Sequence, residues 1–319
     1  MRISRIKHLA SLLFACLLVF TLLSPAAAAA GEGDRFTQVF DAAQDTGKLT
    51  ARYLKLTHES GERTGDATVL TSPDGKIMLL DAGLPESAGQ VISALEAMGV
   101  EKIDYLVASH PHIDHIGGFA QIIQRFEIGA LYSSAVEYPT VYVESYLSEI
   151  KSRGIEHIIL SEGDTCTFGE EVRAEVFHPQ PDITYYEGYP DNSTQFINDL
   201  SLVLRLSWKG SSFLFGGDLY TSAERALAEK YGERLQSDVF KVGHHGAATS
   251  SSKAYREAIA PKIAVMINNR IDDIGIYNRY GKKNIDTYHT LLDGSVKIST
   301  AGDGVYEVLT QQDRATDFL

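Results

Sequence analysis

Residues 109–118 read Ser109-His-Pro-His-Ile-Asp-His-Ile-Gly-Gly118. The apolar run from Ile103 to Ser109 predicts a buried strand leading into this stretch, and Ile116 to Phe126 restarts a helical pattern after it. His110 and His112 lie two apart, so an extended segment presents both on the same side. Asp114 and His115 follow where the chain turns, and Gly117-Gly118 let the backbone bend tightly. Four nitrogen and oxygen ligands within six residues suit zinc or a similar transition metal. With 10 His and 42 acidic residues among 319, the pattern His-x-His-x-acid-His arises by chance in about one such chain per thousand.

Partners for a second metal are expected at other strand ends. Phe213-Leu-Phe-Gly-Gly-Asp218 is an apolar strand emptying into an aspartate. Asp238-Val-Phe-Lys-Val-Gly-His244-His245-Gly246 is another, ending in paired histidines. Around them the grammar is short β-rich runs and helices. Ala51 to Thr57 alternates in period two; Ala67 to Ser72, the turn Pro73-Asp-Gly and Lys76 to Asp81 predict a hairpin; Ser87 to Met98 predicts a helix stopped by Gly99. In the second half, strands are expected at 172–177, 200–208, 212–215, 238–242, 263–267, 296–299 and 305–309. Helices are expected at 222–231, 253–260 and 287–292. Two strand-rich halves, each with helices following, predict two sheets packed face to face with helices outside. Tyr132 to Tyr189, rich in Tyr and Pro, is expected to be an irregular insertion bordering the site.

Composition narrows the partners. A chain with 44% hydrophobic and 22% charged residues is an ordinary globular protein, not a disordered one. Its net charge of -13 repels phosphate backbones at long range, which excludes stable nonspecific coating of nucleic acid. Two cysteines, Cys16 and Cys166, build neither a disulfide framework nor a four-Cys zinc site. Arg2, Arg5 and Lys7, the apolar run Leu9 to Leu23 and the small residues Ala26 to Ala30 have the order of a secretory signal peptide. Its removal would take the charge to about -16 and leave only Cys166. The expected organisation is a signal peptide over 1–30, a leader over 31–50, either loose or a peripheral helix, and one hydrolase domain over 51–319. No later apolar run is long enough to span a membrane, so the mature chain is expected to be secreted or otherwise extracytoplasmic. Nothing in the sequence speaks to oligomeric state.

The motif at 110–115 resembles the signature of the metallo-β-lactamase-fold superfamily. The closer resemblance is to the metallohydrolase domain of competence-type DNA-internalisation proteins (the ComEC/Rec2 type) and related exported phosphodiesterases. Gly65-Asp-Ala, Pro73-Asp-Gly-Lys, Leu79-Leu-Asp-Ala-Gly83, Asn198-Asp-Leu-Ser-Leu-Val-Leu, the Asp218 strand, Lys241-Val-Gly-His-His-Gly-Ala and Asn278-Arg-Tyr-Gly281 carry it, from about Tyr53 to Leu309. It implies an α/β fold, a four-layer αββα metallo-β-lactamase sandwich with the metals at one end of the sheets. It assigns His110 and His112 to a first metal, Asp114 and His115 to a second, and Asp218 to a bridge. One of His244 and His245 completes the second site, with His245 favoured. Two departures stand out. Asn198 occupies the region where many members carry a third His for the first metal, and Lys282-Lys283 follow Gly281 where relatives often have His-Pro.

The expected activity is therefore metal-dependent hydrolysis, with two divalent ions, zinc or else manganese, and a metal-bridging hydroxide as nucleophile. A phosphodiester substrate leads, whether nucleic acid or a phosphorylated envelope group such as phosphocholine. In this reading Asp114 and Asp218 serve catalysis, while Asn198, Arg279, Lys282 and Lys283 contact substrate. Hydrolysis of an ester, lactone or β-lactam is the alternative within the same fold. From a different class, a non-catalytic envelope or DNA-uptake binding protein is weighed against the intact ligand set.

Overall fold

The computed structural model describes residues 32–58 and 63–314, so the expected signal peptide lies outside the described residues. In chain order the strands are β1 (Leu49–Tyr53), β2 (Thr68–Thr71), β3 (Ile77–Leu80), β4 (Lys102–Val107), β5 (Glu127–Ser133), β6 (Glu156–Ile159), β7 (Thr165–Phe168) and β8 (Val172–His178). The second half adds β9 (Val203–Trp208), β10 (Ser211–Phe215), β11 (Val239–Lys241), β12 (Ile263–Met266), β13 (Asp286–His289), β14 (Val296–Thr300) and β15 (Glu307–Thr310). Among the described residues they form an eight-stranded sheet, β15-β14-β1-β2-β3-β4-β5-β6, and a seven-stranded sheet, β13-β12-β11-β10-β9-β8-β7.

Strand composition explains the layers. Central strands are nearly continuous apolar runs because both of their faces are covered. In β3, Met78 and Leu80 face the space between the sheets while Leu79 faces helices. In β10, Phe213 and Phe215 face inward and Leu214 packs outward. One outer layer covers the first sheet with helices 88–97, 119–125 and 141–152; the other covers the second sheet with helices 221–231, 253–259 and 274–281. The result is the four-layer αββα sandwich.

Three expectations change. The stretch 32–50 is built into the fold: a helix at Glu32–Phe40 places Val39 and Phe40 in the core, and β1 begins at Leu49. A buried ion cluster fastens it, with Asp45 bound by Arg52 at 2.6 Å and Lys297 at 2.8 Å, and Arg52 Nε donating to Val39 O at 2.6 Å. The 132–189 segment is regular for about half of its length, since β6 extends one sheet, β7 and β8 the other, and a helix spans Val141–Ser152; its longest loop runs from 179 to 193. Residues 286–289 form a strand, not the start of a helix, because they pair in parallel with β12.

Candidate metal centre

Strand ends converge on one edge of the sandwich. β4 delivers Ser109 and His110, and a single helical turn, Ile113–Ile116, carries Asp114 and His115. The expected helix 116–126 breaks at Gly117-Gly118 and resumes at Phe119–Arg125. A β-carbon on Gly117 would stand 2.4 Å from Ile113 O and from the Pro85 ring, so only glycine closes this turn. From the facing segment, Gly65 adopts φ +80°, and its absent β-carbon would lie 1.6 Å from Asp114 O. That close approach lets the Asp66 N–H donate to Asp114 O at 3.1 Å.

The centre of the cluster is Asp218 Oδ2. His115 Nε2 lies 3.2 Å from it and His245 Nε2 also 3.2 Å, while His245 Nε2 is 3.4 Å from Asp114 Oδ2. Ligand atoms of Asp114, His115, Asp218 and His245 all lie within 4.8 Å of one another. Both imidazoles are held from behind: His115 Nδ1 is 2.8 Å from Asp81 Oδ2, and His245 Nδ1 is 2.8 Å from Asp66 Oδ1. A carboxylate on Nδ1 places the proton there and turns the Nε2 lone pair toward Asp218, the arrangement that orients histidine ligands on metals. Two lone-pair atoms 3.2 Å apart repel unless a proton or a metal cation stands between them. Burial opposes charging of His115, but Asp218, Asp81 and Asp114 overcome it and raise its pKa to about 10. For His245 burial is likewise outweighed, by Asp66 and Asp218. The site demands positive charge, which a divalent ion would supply.

A second set of groups adjoins this cluster. The His110 ring lies 4.1 Å from that of His115 and 4.8 Å from that of His112. Burial and the neighbouring His115 hold His110 well below the usual imidazole range, so it is a neutral donor. His110 Nε2 and Asn198 Oδ1 are buried without a hydrogen-bond partner. Two orphaned ligand atoms on one side and four convergent ones on the other fit two cations, with the Asn198 side poorer in charge. Tyr138 stands edge-on to His112 at 5.6 Å, and Tyr185, Tyr186 and Tyr189 pack around Phe196 beyond it.

His244 borders the ligand cluster, with Nε2 3.8 Å from Asp218 Oδ2, but its ring is engaged by other partners. It and His245 share left-handed backbone, φ 48° and 54°, in the tight Gly243–Gly246 turn. His244 stacks on Tyr220, its Nδ1 is 2.6 Å from Thr249 Oγ1, and its Nε2 faces Arg63 Nη1 at 3.4 Å. Burial, with Arg63 and His245 among the further causes, pulls its pKa to about 4. A neutral ring whose Nε2 faces a guanidinium is less available to a metal than His245, whose Nε2 faces Asp218 at 3.2 Å. His178 donates from Nε2 to Asp199 O at 2.7 Å and is a loop brace.

Arg279, Lys282 and Lys283 do not reach the site. β12 and β13 run parallel, with Ile263 opposite Asp286 and Met266 opposite His289. The cluster lies at the Met266 end, where His245 Nδ1 is 3.2 Å from Ile267 O. The helix Ile274–Gly281 returns the chain to the start of β13, so Arg279 and the two lysines are exposed toward the opposite end of the sheet. Among the described residues, the cations that reach the cluster or its rim are Lys241 and Arg63. Lys241, buried, pairs with Asp66 and lies 3.7 Å from Asp218 Oδ1. Asp66, Asp81 and Lys241 carried a sequence signal, since each stands at or beside the end of an apolar run; Arg63 carried none.

The fold is an αββα sandwich with a cluster of His and Asp side chains at one edge that could hold a metal ion. Residues 60–183 match the family model described as "Metallo-beta-lactamase superfamily". Among curated proteins it is similar to "Competence protein ComA" of Neisseria gonorrhoeae, 28% identical over 75% of this chain and 31% of that protein. It is also similar to "ComE operon protein 3" of Bacillus subtilis, 26% identical over 58% of this chain and 23% of that protein. The chain thus spans about a third or less of the length of these relatives. Among solved structures, the diiron beta-hydroxylase CmlA of Streptomyces venezuelae matches with a TM-score of 0.51 at 13% identity, over 79% of this chain and 54% of that one. That likeness is one of fold. Among the described residues, no helix is long and apolar enough to cross a membrane.

Proposed function

We propose that the protein is an exported phosphodiesterase, cleaving a small or single-stranded phosphodiester rather than long duplex. The observation that carries this is the pair of carboxylate-backed imidazoles, His115 and His245, aimed at a buried Asp218 beside the neutral His110 and His112. Asp114, His115, Asp218 and His245 would hold one divalent ion, and His110, His112 and Asn198 the other, with Asp218 shared; zinc is favoured over manganese. When bound, such a pair polarises phosphoryl oxygens and supplies a water of lowered pKa. Asp114, the least buried of the four carboxylates at the site, is placed to orient the attacking water. Lys241 and the Asp81 and Asp66 braces hold the ligands still, so that little reorganisation accompanies reaction. Tyr138 beside His112 offers one wall to a planar substituent.

The test is a screen of the mature chain, reconstituted with zinc or manganese, against bis-p-nitrophenyl phosphate, a phosphocholine ester, a lactone and nitrocefin. Turnover of a phosphodiester, lost with metal content in Asp218→Ala, is the expected outcome. Turnover of the lactone or nitrocefin alone would replace this proposal with the ester or β-lactam alternative. Export is tested by N-terminal sequencing of extracellular protein, where a start near Ala30 is expected and a retained Met1 would refute cleavage.

A further inference from the structure

We infer that Arg63 is the anion-recognising residue of this site, and that the substrate carries negative charge at or beside the reacting centre. The inference rests on the hydrolase reading above and names the residue that selects among its substrates. Arg63 lies on the loop between β1 and β2 and reaches the same edge as the metal ligands. Its Nη2 is bound to Asp272 Oδ2 at 2.6 Å, and its Nη1 faces His244 Nε2 at 3.4 Å. That same His244 nitrogen is 3.8 Å from Asp218 Oδ2, so the guanidinium stands one imidazole away from the centre of the cluster.

The guanidinium is fixed but not neutralised. Asp272 is shared, with Oδ1 taking Arg270 Nε at 2.7 Å and Oδ2 taking Arg63 together with Asn268 Nδ2 at 3.0 Å. Two arginines on one carboxylate leave a net positive charge. Asn268 is itself tied to the site, because its Nδ2 also donates to His245 O at 3.3 Å. Nη2 spends one N–H on Asp272 and Nη1 one on His244, so the planar fork retains a second donor on each. Lys241 cannot do this work, since it is buried and engaged by Asp66 and Asp218. A fork of donors with surplus charge, a quarter exposed at the rim, suits the paired oxygens of a phosphate or similar oxyanion.

The experiment uses the metal-loaded chain and inorganic phosphate as probe, by calorimetric titration of wild type, Arg63→Ala and Arg63→Lys, with metal content checked in each. Arg63→Ala should weaken phosphate binding about ten-fold or more, and Arg63→Lys should recover part of it, because charge returns without the fork. In parallel, kcat/KM is read on bis-p-nitrophenyl phosphate and on neutral p-nitrophenyl acetate. The loss in Arg63→Ala should be about ten-fold larger on the phosphodiester than on the acetate. Equal phosphate affinity in wild type and Arg63→Ala, at equal metal content, would overturn the inference. A wild-type enzyme that cleaves no phosphodiester but loses phosphate binding on Arg63→Ala would overturn the phosphodiesterase reading alone.

Discussion

Replacing Lys241 with methionine tests whether the site is organised around charge compensation. Lys241 Nζ lies 3.7 Å from Asp218 Oδ1 and pairs with Asp66, with all three side chains buried. Burial works against the ammonium, but Asp66 and Asp218 hold its pKa above the usual lysine value. At an effective dielectric constant of about 20, the attraction across the Asp218 contact is roughly 4 kcal/mol. Removing one partner of a buried pair and stranding the other costs about 3–5 kcal/mol. For a chain of this size that lowers the melting temperature of the metal-free protein by roughly 10 °C. Divalent ions at the site would take over the compensation of Asp218, so metal should raise the melting temperature of Lys241→Met by more than it raises that of wild type. Thermal unfolding of chelated and metal-reloaded samples reads both quantities. Lys241→Arg, which keeps the charge, guards against simple loss of packing and should melt closer to wild type. An unchanged melting temperature for chelated Lys241→Met would refute the reasoning.

Glu224 is buried and accepts N–H bonds from Ser251 at 2.8 Å and Ser252 at 2.6 Å, yet burial outweighs them and raises its pKa to about 7. A carboxyl whose folded pKa exceeds its unfolded one stabilises the fold fully below about pH 4.5 and loses that contribution as pH rises through about 7, up to roughly 3 kcal/mol. Glu224→Gln should therefore show a shallower fall in melting temperature between pH 5 and 8 than wild type, and parallel curves would contradict this. Asn198→His puts an imidazole where a buried amide oxygen lacks a partner, and should raise affinity at the His110–His112 side by roughly ten-fold or more, read as metal retained after dialysis. Burial pushes the half-buried Cys166 thiol up, away from the thiolate form, so Cys166→Ser should leave turnover intact; an inactive but folded variant would show a role for sulfur.

Much of this molecule was legible along the chain because its grammar is local. Period-two and apolar runs marked most strands, since a strand's burial is written in its own residues. His110, His112, Asp114 and His115 share one turn, and Asp218 and the His244–His245 pair each end an apolar strand, so spacing and strand position marked them as candidate ligands. Tertiary structure decided the rest. His244 and His245 are neighbours of the same type, and only the left-handed turn and the partners Thr249, Tyr220 and Arg63 separate the two. Lys282 and Lys283 read as site cations because they follow a matching motif, but a parallel crossover must return its helix to the far end of the sheet. Arg63 was silent in the sequence, standing alone in a polar loop. Its role depends on Asp272, more than two hundred residues away, and on the net charge that two arginines leave around one carboxylate. Ligand types follow from short-range pattern, whereas the charge balance around them is a sum over distant residues that only folding brings together.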